Sequence, residues 1–201
     1  MTIMSLEPGT DAEAFEWPRP GVEGFTAEDL DRLPGLPPHT ELIDGSLVVV
    51  SPQAMFHSLV MRHLEAILLR AAPAEFNIVR EMTVRLDKRN RPEPDLMAVR
   101  ASAVKGLSQT CFQPDDVRLA VEVVSPDSVD RDRVIKPPKF AAAGIRHFWR
   151  VENVDDEAVV YVYELDPATR TYGLSGIHHD RLKVTVPFDL EIELAELVRL
   201  R

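Results

Sequence analysis

RLAVEVVSPDSVDRDRVIKPPKFAAAGIRHFWRV, residues 118–151, is the stretch on which the fold turns. Its opening, 118–124, is a β-branched apolar run that reads as a strand, and RHFWRV at 146–151 reads as another. Between them, 130–143 is helical at its Ala-rich end. One residue interrupts the apolar strand: Glu122, a charged group where a fully buried strand carries none. An unpaired buried carboxylate is costly, so Glu122 needs a cation, a partner or a proton. An ion pair with Arg80 or Arg118, or an edge strand with Glu122 facing water, would satisfy it without any chemistry.

Outward from that stretch the pattern continues. Residues 56–71 (FHSLVMRHLEAILLRA) place Leu59, Val60, His63, Leu64, Ile67 and Leu68 at helical spacing, the clearest amphipathic helix in the chain. Strands are expected at 77–86, 95–100 and 158–165, with a weaker pair near 171–176 and 181–186. Helix, three strands, helix and strand in that order indicate an α/β (α+β) fold with a mixed central β-sheet flanked by helices. ELIDGSLVVVSP, from Glu41, reads as an N-terminal β-hairpin turning at Asp44-Gly45, a dipeptide that favours positive backbone angles. Before it, residues 1–39 form a Pro-rich acidic arm with a short helix at 26–32, capped by Thr26. The domain proper is expected to span 40–201.

The chain has 201 residues, 23 Lys plus Arg and 33 Asp plus Glu, for a net charge of −10. That excludes a blanket basic surface. The charge is uneven, however. Residues 1–40 hold eight acids and two bases and 152–166 six acids and no base, whereas 41–151 carry 14 acids and 16 bases. Within the middle, 80–91 (REMTVRLDKRNR) reads as a solvated basic edge that could also touch phosphates. The single cysteine, Cys111, allows neither an internal disulfide nor a thiolate metal site. With no signal-like N-terminus and no long apolar run, a cytoplasmic protein without a membrane span is expected.

A second carboxylate gives Glu122 a chemical reading. Asp95 opens the 95–100 strand, and if the two strands are neighbours the two acids can converge on one hard divalent cation. That arrangement polarises a phosphodiester and activates a water. Lys136, beyond the Glu122 strand, could hold that water or stabilise developing negative charge.

Pro94-Asp95, then Glu122-Val123-Val124-Ser125-Pro126, Asp132, Lys136, Phe140, Gly144 and Phe148-Trp149 resemble the signature of the putative restriction endonuclease family, a branch of the PD-(D/E)XK nuclease superfamily. The block Glu41–Gly45, with Ser51-Pro52 and His57, is similar to that family's N-terminal motif, and VPFDLEIELAEL to its closing stretch. The resemblance implies a restriction endonuclease-like core, Asp95 and Glu122 as ligands for Mg²⁺ (Mn²⁺ as substitute), and hydrolysis of DNA. It implies Asp95, Glu122 and Lys136 as catalytic residues, supported by Glu41, His57 and Asp132. The superfamily's lysine two residues after the acid is replaced by Val124; this family displaces it to the following helix, where Lys136 stands. Pro137-Pro138 depart from the family pattern, so the helix is expected to begin near Pro137 with Lys136 at its edge and Lys139 as a fallback.

Because cutting both strands takes two active sites, a homodimer is expected. A different class of function is a non-catalytic dimeric binding or interaction protein that retains the nuclease fold. A third is a dimeric structural protein with an exposed aromatic ribbon at 145–165.

Overall fold

The structure, a computed structural model, describes residues 18–49 and 52–200. Residues 1–17 of the acidic arm, and Ser51 of the N-terminal motif, lie outside the described residues. Strands β1 (Glu41–Ile43) and β2 (Ser46–Val48) form the expected hairpin, with Asp44 at φ 51° and Gly45 at φ 78° making its turn. Helix α1 (Met55–Ala71) follows. Then come β3 (Phe76–Arg80), β4 (Thr83–Val84), β5 (Leu96–Arg100), β6 (Cys111–Phe112) and β7 (Val117–Val123). Helix α2 (Lys136–Ala143) leads to β8 (His147–Val154), β9 (Glu157–Asp166), β10 (Thr171–His178), β11 (Arg181–Val184) and β12 (Leu190–Glu193).

Six strands form the central sheet in the order β10-β9-β8-β7-β5-β3. β7 and β8, the two strands of the 118–151 stretch, are parallel, and every other pairing in that sheet is antiparallel. A parallel pair needs a crossover, and α2 is part of it. β5 lies directly beside β7, with Leu96 opposite Val121, so Asp95 and Glu122 sit on neighbouring strands.

Alternation along β5 and β7 fills both faces. Leu96, Ala98, Leu119, Val121 and Val123 pack with Val60, Met61, Leu64 and Leu68 of α1. Met97, Val99 and Ala120 pack with Phe140 of α2 and with Phe148. Burying each such large side chain stabilises the fold by roughly 1.5–3 kcal/mol. Phe148 and Trp149, adjacent on β8, go to opposite faces and are fully buried. The 145–165 ribbon is therefore core, with Phe148 stacked on Tyr172 and tilted against Tyr163, and not an exposed aromatic face.

Several expectations change in detail. The expected 77–86 strand breaks at Glu81 (φ 51°) into β3 and β4, and β4 leaves the central sheet to pair with β6. The 26–32 helix is a single 3₁₀ turn, Asp29–Asp31, whose Asp29 carboxylate accepts from the Thr26 N–H (2.7 Å). Phe25 and Ala27 beside it pack on Leu42 of β1. β11 pairs with β12, a strand within the closing motif, and not with β10. Among the described residues no helix is long and apolar enough to cross a membrane.

Candidate active site

The site forms where β7 ends and β5 begins. Glu122 shares strand parity with Ala120, and Asp95 with Met97, so both carboxylates extend the α2-facing columns of their strands past the apolar core. Asp95 is anchored twice. Its Oδ2 accepts from the Val123 N–H at 2.6 Å, and its Oδ1 lies 2.9 Å from His57 Nε2. His57 comes from the first turn of α1, which carries it to the same end of the sheet.

Lys136 stands at the centre. Its Nζ lies 2.9 Å from Glu41 Oε1, 3.1 Å from Glu122 and 3.3 Å from Asp132 Oδ1. All four of these side chains are at most 5% exposed. Glu41 reaches them from β1, its Oε1 also accepting from the Glu93 N–H at 2.7 Å. The partner of Glu122 is thus Lys136, and neither Arg80 nor Arg118: Arg80 is bound to Glu65 and Glu81, and Arg118 lies at the far end of β7. Nor does Glu122 face water. Lys139 is not part of the cluster; it pairs with Asp44 at the hairpin turn.

The local backbone explains how Lys136 gets there despite Pro137-Pro138. The helix does not begin at the prolines: Arg131–Ile135 already form a π-helical turn, in which the Lys136 N–H donates five residues back to Arg131 O. The next two residues bring no N–H, and a proline ring clashes with the carbonyl four residues earlier, so the wide turn accommodates both. α2 runs on from Lys136 to Gly144, which closes it at φ 92°. Asp132 and Lys136, four apart, face the same way.

The electrostatics follow from burial and crowding. Four carboxylates, Glu41, Asp95, Glu122 and Asp132, surround one ammonium. Burial raises the Glu122 carboxyl well above the usual carboxylate range; Lys136 opposes this, and Asp132, Asp95 and Glu41 reinforce it. Asp132 is raised in the same way, against the pull of Lys136 and a Ser128 hydrogen bond. Burial acts against the charge of Lys136, but Glu122, Glu41, Asp132 and Asp95 outweigh it and hold the ammonium well above its ordinary value. His57 is likewise raised, the bond and charge of Asp95 overcoming its burial.

A cavity of about 400 Å³ opens over these groups. Other residues lining it went unnoticed in the sequence. Arg131, from the π turn, has Nε and Nη2 buried without a hydrogen-bond partner, 3.7 Å being its approach to Asp127. His39 and Glu93 form a pair at the rim, and burial raises Glu93. Charged residues spread over 39–131 give no local signal of convergence.

The donor set suits a hard divalent cation, which takes oxygen ligands, commonly one or two carboxylates with water completing the shell. Glu41 Oε2 is buried without a hydrogen-bond partner, and the carboxylates outnumber the ammonium, so the cluster has negative charge to spare. Among the described residues no three His, Cys, Asp or Glu side chains form a ready ligand set. Asp95 and Glu122, on neighbouring strands at one end of the sheet, are the two carboxylates that could hold such a cation.

A family model described as "Uma2: Putative restriction endonuclease" matches residues 27–196. The chain is similar in fold to a crystal structure from Anabaena variabilis ATCC 29413 titled as a putative nuclease belonging to DUF820. That likeness has a TM-score of 0.69 at 18% identity and covers 87% of this chain and 97% of that chain. No curated protein matches.

Proposed function

Because the chain belongs to the Uma2 family of putative restriction endonucleases, we propose that it is a Mg²⁺-dependent endonuclease that hydrolyses DNA phosphodiester bonds at the Asp95–Glu122–Lys136 cluster, acting as a homodimer. The observation that carries this reading is the convergence of Lys136 with Glu122, Glu41 and Asp132 within 3.3 Å, beside an Asp95 fixed by a backbone N–H and His57. Such a concentration of buried charge costs stability, and it is kept where chemistry uses it.

In this reading Asp95 and Glu122 hold Mg²⁺, which when bound supplies Lewis acidity toward the phosphoryl oxygen and the attacking water. The Val123 N–H and His57 fix the Asp95 carboxylate, so its oxygens need no reorganisation on binding. Lys136 Nζ, oriented by Glu41 and Asp132, donates to the attacking water and offsets the negative charge that develops at phosphorus. Arg131 lines the cavity and has N–H donors without a hydrogen-bond partner, and in this reading it takes a non-bridging phosphate oxygen.

One observation favours a second reading. Lys136 already neutralises Glu122 in a buried ion pair, an arrangement that a non-catalytic binding protein with the same fold would also show. The two readings separate on plasmid nicking. With Mg²⁺ the wild type nicks supercoiled DNA, and chelation, Asp95→Ala or Glu122→Ala abolishes it while circular dichroism shows the fold retained. Undiminished nicking by Asp95→Ala overturns the assignment.

A further inference from the structure

At the end of the sheet opposite the acidic cluster, Arg100, Arg118 and Arg146 gather around a second cavity, of about 610 Å³. Strand pairing brings them together. Arg100 closes β5, Arg118 follows Val117, which lies opposite Val99, and Arg146 precedes His147, which lies opposite Leu119. Arg118 and Glu122 are four residues apart on β7, roughly 13 Å, and the two cavities share no lining residue.

What distinguishes this cluster is that, among the described residues, none of its guanidiniums is ion-paired. The conspicuous basic run at 80–91 already has partners within the chain, most of them at the surface: Arg80 on Glu65 and Glu81, Arg85 on Glu28, Lys88 on Glu23, Arg89 on the Asp44 carbonyl, and the buried Arg91 on Asp31. Among the described residues the guanidiniums of Arg100, Arg118 and Arg146 have no ion pair and no hydrogen bond, and Arg118 Nε is buried without a partner. Burial lowers the Arg118 pKa, and Arg146 and Arg100 lower it further. Burial, Arg118 and Arg146 together push the neighbouring His147 down to about 4. Arg170 also lines the cavity but donates to the Ala142 carbonyl at 2.8 Å. Two acceptors, Asp115 and Glu164, complete the wall without pairing with the arginines. In a chain of net charge −10, three guanidiniums around one cavity with no carboxylate paired to them leave positive charge that a bound anion would complement.

We propose that this cavity is a phosphate-binding site, separate from the acidic cluster, that takes one nucleotide unit. The Arg100, Arg118 and Arg146 guanidiniums match the oxygens of the phosphate, since their planar forks bind it through paired N–H donors. Asp115 and Glu164 accept from sugar hydroxyls or base N–H groups. The volume lies in the range of small-molecule sites. A free mononucleotide and a unit of a nucleic-acid strand offer the same chemistry. The proposal does not depend on the nuclease reading.

Isothermal titration in EDTA at low salt tests it with inorganic phosphate, thymidine 5′-monophosphate and a short single-stranded oligodeoxynucleotide. The expected result is binding of the mononucleotide or the oligonucleotide, weakened about tenfold or more by Arg118→Gln and by the exposed-site variant Arg146→Gln, and unchanged in Glu122→Ala. Tighter binding of the oligonucleotide identifies a strand as the source; equal affinity identifies the free nucleotide. Relief of like-charge repulsion also predicts that Arg146→Gln melts above the wild type without ligand and gains less from added phosphate. Binding of none of the three probes at millimolar concentration, or binding that survives both arginine variants, overturns the proposal.

Discussion

Lys136 is the residue on which the site depends. Among the described residues its ammonium is the one cation paired with Glu41, Glu122 and Asp132 together, and removing it leaves three buried carboxylates without that counterion. Lys136→Met is therefore expected to lose about 3–5 kcal/mol of stability at neutral pH, measured by urea denaturation. The pH dependence has a definite sign. Glu122 and Asp132 have carboxyls raised above their unfolded values, and loss of Lys136 raises them further. A raised acid favours the folded state below its unfolded pKa and loses that contribution as pH rises through the folded value. The deficit of Lys136→Met is thus largest above neutrality and shrinks toward pH 4; a deficit independent of pH would contradict this. Glu122 was legible in the sequence as a charge inside LAVEVV, and Asp95 as the opening of the next strand. Lys136 was visible only as a lysine just beyond the Glu122 strand, and the family resemblance singled it out, because nothing local marks a lysine whose partners lie on β1, β7 and the preceding turn. Arg131 was illegible for the same reason: its orphaned N–H groups exist only after folding.

At the scale of elements, α1 and the strands β5, β7, β8 and β9 follow directly from apolar periodicity. Departures occur where backbone geometry overrides pattern. The alternation in 77–86 continues across Glu81, but its positive φ turns the chain and hands β4 to a different partner. β4 and β6 are two residues each, too short for any pattern to register. The π turn at Arg131–Ile135 is the element with most bearing on function. Two prolines at 137 and 138 supply no N–H to restore the α register, so the turn persists and sets where Asp132 and Lys136 point. Replacing both by alanine permits the segment to regularise. We expect such a variant to gain helical ellipticity and to nick plasmid DNA about 100-fold more slowly, since displacement of a positioned group by about an ångström has that effect. Gained helicity with undiminished nicking would show that the register is irrelevant to the site.

Over the whole molecule, the sheet separates charge. The acidic cluster occupies one end, where β5 begins and β7 ends, and the unpaired arginines occupy the other, with the apolar core between them. The net charge of −10 conceals this, as does the basic run at 80–91, which is consumed by internal pairs. The proposed function rests on Asp95 and Glu122 forming a cation site with Lys136 beside it. A crystal soaked in Mn²⁺ and measured at the manganese absorption edge tests this most directly. One anomalous peak bound by both Asp95 and Glu122, and absent from Glu122→Ala crystals, is expected; no peak there, with Lys136 still paired to Glu122, rules the cation site out.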